Sequence, residues 1–165
     1  MVRKITNLWF LPLLIGGILR WYQINDQIVL NDELYSINYL IRNDYWEILT
    51  HFGKADHCIP LTILYKLLAE NIILSEIEIP LPVFIIGMIS IALFPLMVKA
   101  YIGKYPAYIF SFLLAISPIC IHFSRFGRPY IIALGFSFIG IISFYKRWRE
   151  NKIRHGKIYL CCVLI

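Results

Sequence analysis

Residues 79–98 read IPLPVFIIGMISIALFPLMV, without a charged residue between Glu78 and Lys99. A helix crosses the hydrocarbon of a bilayer with about 20 predominantly apolar residues, and this stretch has that length. Pro80 and Pro82 stand at its start, where a missing backbone N–H costs least. Working outward, the pattern recurs between other charges. Lys4 and Arg20 enclose Ile5–Leu19, with Trp21 and Tyr22 beyond as an interfacial anchor. Lys104 and Arg125 enclose Tyr105–Ser124, and Arg128 and Lys146 enclose Pro129–Tyr145. Spans are therefore expected at about 5–22, 81–98, 105–123 and 130–145. A last run, 158–165, is too short to cross, so it reads as part of a fifth span and the sequence as the N-terminal part of something longer. The expected fold is an all-α integral membrane bundle, multi-pass, with amphipathic external helices.

Composition agrees with that reading. Of 165 residues, 59% are hydrophobic and 16% charged, where soluble domains average roughly 45–50% and 25%. Mean hydropathy is +0.69. This excludes a soluble enzyme, a disordered tail and a disulfide-rich secreted module. Cys58, Cys120, Cys161 and Cys162 show no metal or redox spacing. The first apolar run lacks the small residues of a signal-peptide cleavage site, since Arg20, Trp21 and Tyr22 stand there, and it reads as an uncleaved span.

Residues 59–74 are apolar but carry Lys66 and Glu70. If they do not cross and the N-terminus is cytoplasmic, the cytoplasmic segments hold ten basic residues against the single acid Glu150. The outer side then holds six basic residues and nine acids. If they crossed, the basic 146–157 loop would face outward, against the positive-inside rule. Residues 59–74 are thus expected to be an interfacial or re-entrant helix within one external loop, 23–78. The net charge of +6 is then a topology signal, and nucleic acid is not an expected partner.

The loop has its own helical signals. Asn31 is a good N-cap, with Asp32 and Glu33 in the first turn. Leu34, Ile37, Ile41 and Ile48 recur at helical spacing, an apolar stripe suited to lying on a membrane. A second helix is expected from Asp44, with Glu47 completing a variant capping box and Gly53 ending it. His51 and His57 lack a third ligand at zinc spacing, so no metal is expected. Lys54 and His57 are candidate phosphate contacts. Beyond the loop, Ser124-Arg125-Phe126-Gly127-Arg128-Pro129-Tyr130 joins two spans on the same side. Its two arginines, on an otherwise acid-rich face, suit forked hydrogen bonding to a phosphate.

Four motifs in this order resemble the GT-C glycosyltransferases, in particular the protein O-mannosyltransferase and aminoarabinose transferase branch. They are Asn31-Asp32-Glu33-Leu34, His57-Cys58-Ile59-Pro60-Leu61, Leu81-Pro82 with Gly87, and Ser117-Pro118 followed by Arg125-Phe126-Gly127-Arg128-Pro129-Tyr130. The chain departs from the family pattern at Phe126, where relatives carry glutamate, and at Pro80, where they often carry arginine.

The resemblance implies a GT-C bundle in the plasma (inner) membrane with a cytoplasmic N-terminus. It implies transfer of a sugar from a polyprenyl-phosphate donor, a co-substrate rather than a cofactor, to a protein, lipid or glycan acceptor on the outer face. Asp32 would be the base and Glu33 its neighbour. Arg128, Arg125, Lys54, His57 and Tyr130 would bind substrate. The alternative from a different class is a non-catalytic or truncated membrane subunit, which the missing acid at Phe126 favours. A transporter is disfavoured, because the three clear internal spans carry no Asp, Glu, Lys or Arg between their flanks.

Overall fold

The computed structural model describes residues 9–22, 24, 31–51, 59–72 and 78–164. Among these residues the regular structure is entirely helical. In chain order the helices are α1 (Phe10–Trp21), α2 (Asn31–Arg42), α3 (Tyr45–Thr50), α4 (Ile59–Asn71), α5 (Leu81–Ile102), α6 (Lys104–Ile116), α7 (Pro118–Phe123), α8 (Tyr130–Glu150) and α9 (Ile153–Leu164).

Helices α5 and α8 are long and apolar enough to cross a membrane. Their 22 and 21 residues correspond to roughly 33 and 32 Å at 1.5 Å per residue. Only 33% and 22% of their most apolar stretches are buried. Ile85, Ile89 and Leu96 of α5 and Ile141 and Phe144 of α8 are exposed. Helices α1 and α6 are apolar but shorter. The stretch expected as one span over 105–123 is broken at Ser117, which is extended (ψ 119°) and caps α7 through its side chain.

Two prolines set the internal hydrogen bonding. Pro95 lies inside α5 and has no N–H for the carbonyl of Ile91, four residues earlier. The Ser111 hydroxyl of α6 donates to that carbonyl at 2.8 Å. Pro118 likewise leaves the carbonyl of Leu114 without its helical donor. The Arg20 guanidinium, from the end of α1, donates to Leu114 at 3.1 Å and to Ala115 at 3.0 Å. Both of these acceptors are thus taken by a side chain from another helix. Where no water is present this is a requirement, because an unsatisfied carbonyl costs several kcal/mol in hydrocarbon.

Aromatic and cationic contacts define two ends of the bundle. At one, Lys99 sits over the Trp9 ring, Tyr101 meets Tyr145 edge-on and Arg149 lies over Tyr101. At the other, Trp21 meets Phe84 edge-on and Arg20 reaches Ser124. Helices α5 and α8 therefore run parallel, and α1 runs antiparallel to both. Asn151, left-handed at φ 52°, turns the chain so that α9 runs back along α8. There Gly140 faces Cys162, and Phe144 packs on Tyr159. Asparagine tolerates that conformation better than most residues.

Helices α2 and α4 pack on the second end. Leu40, Leu61 and Tyr65 share a buried cluster with Ile79, Val83, Ile131 and Ile132. The Tyr65 hydroxyl donates to the Ile79 carbonyl at 2.7 Å, and the Lys66 ammonium donates to the carbonyls of Asn43 and Leu40. This differs from the expected membrane-lying stripe. The buried face of α2 runs through Ile37 and Leu40, while Ile41 is 69% exposed. The reason is tertiary: Leu40 finds an apolar partner surface on α4 and the starts of α5 and α8. The expected capping box forms, with α3 starting after Asp44 and the Glu47 carboxylate accepting from the Asp44 N–H at 3.1 Å. Helix α3 ends at Thr50, ahead of the expected stop at Gly53, which lies outside the described residues, as does Leu74.

Candidate functional site

The connection from α7 to α8 is built around Ser124, which is fully buried. Its hydroxyl donates to the Cys120 carbonyl and accepts from the Arg20 Nε at 3.2 Å. Gly87 of α5 makes room for it, since a Cβ at 87 would sit 2.6 Å from the Ser124 Cβ. Gly16 does the same for Arg20 and Ala115, with a Cβ there 3.2 and 3.3 Å from their side chains. Arg20 is itself completely buried. Sequence reading takes it as a span boundary; in the structure it is the internal fastener of α1, α6 and α7. The available signal is Pro118, whose missing N–H demands a donor for Leu114, though nothing in the sequence says which residue supplies it.

From Ser124 the chain passes through the expected phosphate-binding arginines. Arg125 is half-buried, and Arg128 is 6% exposed. Arg128 is thus an inward residue and not a cation reaching for solvent at a helix end. Phe126 stacks on His122 with ring centres 5.6 Å apart. Tyr130 opens α8, 47% exposed, and its ring meets Phe123 at 4.7 Å. The result is a short segment with two arginines and two pairs of packed rings, Phe126 on His122 and Tyr130 on Phe123.

The other candidates differ in what can be said of them. Asp32 and Glu33 are in the first turn of α2, and their side chains are not among the described ones. Lys54 and His57 lie outside the described residues altogether. Helix α2 reaches the arginine segment through Leu40, which shares its cluster with Ile131 and Ile132, three and four residues after Arg128. Asp32 lies eight positions before Leu40, about 12 Å along the helix. Arg125, Arg128 and Tyr130 thus lie on one short connection, and α2, packed on α4, shares a buried cluster with the residues that follow it.

No family model, curated protein or solved structure matches the chain. Among the described residues no group of three or more His, Cys, Asp or Glu is placed to hold a metal ion. The connection itself carries two basic residues, Arg125 and Arg128. Glu70 accepts from the Tyr45 hydroxyl at 2.8 Å. Partial burial first, then this bond and the carboxylate's charge, hold the Tyr45 phenol above its ordinary pKa.

Proposed function

We propose that the chain is a multi-pass membrane protein of GT-C type that transfers a sugar from a polyprenyl-phosphate donor to an acceptor on the outer face. The observation that carries this reading is the buried cluster that Leu40 of α2 shares with Ile131 and Ile132, at the start of α8 just after Arg128 and Tyr130. A helix with acids in its first turn and a buried arginine thus belong to the same end of an apolar bundle. Transfer chemistry needs a base for the acceptor hydroxyl and cationic help for the departing phosphate. Asp32 takes the first role with Glu33 beside it, and Arg128 the second. Arg125, Tyr130, Lys54 and His57 complete the contacts to donor and acceptor. The donor is a lipid, so the site belongs at a membrane boundary. The exposed apolar surfaces of α5 and α8 and the proline-freed carbonyls satisfied within the bundle support a membrane setting. The plasma membrane comes from the family resemblance, and the charge distribution favours a cytoplasmic N-terminus with the site outside.

The test is transfer of labelled sugar from polyprenyl phosphate in proteoliposomes, with donor binding measured alongside. Asp32→Asn should abolish transfer while donor binding persists, and Arg128→Ala should weaken donor binding. Transfer at wild-type rate by Asp32→Asn contradicts the base assignment. The second reading, a non-catalytic subunit, is favoured by Phe126, whose ring stacks on His122 where the family pattern has an acid. It predicts no donor binding by the wild-type chain.

A further inference from the structure

We propose that the corner between α8 and α9 is a binding site for the head groups of anionic lipids. It lies at the end of the bundle opposite the arginine segment, and it rests on the membrane part of the proposed function, not on glycosyl transfer. Residues 146–157 hold Lys146, Arg147, Arg149, Lys152, Arg154 and Lys157 against the single acid Glu150. That acid is already engaged, by Lys152 at 3.0 Å and by His155 at 3.4 Å. The left-handed Asn151 folds the two helices antiparallel and so gathers cations from both. Arg147 of α8 lies against Gly156 of α9, its Cδ 3.5 Å from where a Cβ would stand. Arg149 projects over the Tyr101 ring, which ties the corner to the end of α5.

The charge does not stand alone. Trp148 is 83% exposed and Ile153 70%, both among the cations. They continue into the exposed apolar surface of the same two helices at Phe144 and Leu160. Cations beside an exposed tryptophan, at the end of an apolar surface, match the boundary between head groups and acyl chains. Arginine adds forked hydrogen bonds to phosphate oxygens. A nucleic acid would use the cations but leave the adjoining apolar surface uncovered, whereas a lipid covers both.

The experiment uses the whole chain in neutral detergent, titrated with phosphatidylglycerol or with phosphatidylcholine, and reads retained lipid by native mass spectrometry. Phosphatidylglycerol should be retained preferentially. Each basic residue near an anionic surface is worth about a fivefold factor in binding, so R147Q/R149Q/K152Q should lower phosphatidylglycerol affinity on the order of a hundredfold. Far-UV circular dichroism establishes that this variant keeps its helices. Arg42→Gln, exposed on α2 at the other end, should leave the preference intact. Equal retention of the two lipids would overturn the site, as would a preference that survives the triple substitution in a folded protein. Displacement of phosphatidylglycerol by a short oligonucleotide at equal charge would overturn it in favour of nucleic acid. A chain that stays monodisperse without detergent would overturn the membrane reading and this site with it. A detergent-requiring chain without lipid preference would overturn this site alone.

Discussion

Substituting Arg20 by methionine removes four hydrogen bonds at one point, and their consequences are unequal. Gly16 keeps the helical N–H of residue 20, and the Ser124 hydroxyl keeps the Cys120 carbonyl as acceptor. The carbonyls of Leu114 and Ala115 are the ones left bare, because α6 stops at Ile116 and residue 118 is proline. A buried acceptor without a partner costs about 1–3 kcal/mol, so two cost about 2–6. Methionine also removes a charge whose burial is itself expensive. The net loss should therefore fall near 2–4 kcal/mol, toward the lower part of that range. The decisive version is a cycle with Pro118→Ala, which restores an N–H four residues after Leu114. In that background Arg20→Met should cost about 1–2 kcal/mol less. Reversible unfolding in mixed micelles, followed by far-UV circular dichroism, measures all four proteins. Equal costs in the two backgrounds, to within about 0.5 kcal/mol, would show that Arg20 does not serve the carbonyl freed by Pro118.

Three further outcomes follow from the same geometry. Ser111→Ala should cost about 1–3 kcal/mol, because the Ile91 carbonyl loses its donor, and the cost should shrink when Pro95 is also alanine; the same unfolding assay reads both. Gly87→Ala forces a methyl against the Ser124 side chain and should cost about 1–3 kcal/mol; an unchanged midpoint would contradict the close approach of α5 to this connection. For Tyr45 the neutral phenol is the favoured form, so its contribution to stability is full below the unfolded pKa and is lost as pH rises through the folded one. Glu70→Gln should lower the phenol's titration midpoint, seen by ultraviolet difference absorbance, and a rise would refute the contact.

Length and hydropathy alone make α5 and α8 legible, since a charge-free run of that size has few other uses. The start of α2 at Asn31 and the Asp44–Glu47 box were equally readable, because capping is local. What sequence reading missed was long-range. Pro118 announces a break in the 105–123 run, but its cure is Arg20, more than ninety positions away, and a lone arginine at the end of an apolar run looks like a boundary marker. Ile41 and Leu40 differ by one position, and which of them is buried depends on α4 rather than on α2. In the sequence Gly87 is part of a motif; its physical purpose, room for Ser124, is set by the packing. Of the candidate site, Arg125, Arg128 and Tyr130 are adjacent in sequence and so were found together, whereas the approach of α2 to them is tertiary.

The proposed topology gives the bundle an outer end, carrying α2–α4 and Arg128, and an inner end carrying the α8–α9 corner. Single cysteines placed at Asn71 and at Arg154, both exposed, in a chain with Cys58, Cys120, Cys161 and Cys162 replaced, test it directly with a membrane-impermeant maleimide. In intact cells position 71 should label and position 154 should label only after permeabilisation. Labelling of both positions from the same side would contradict the account.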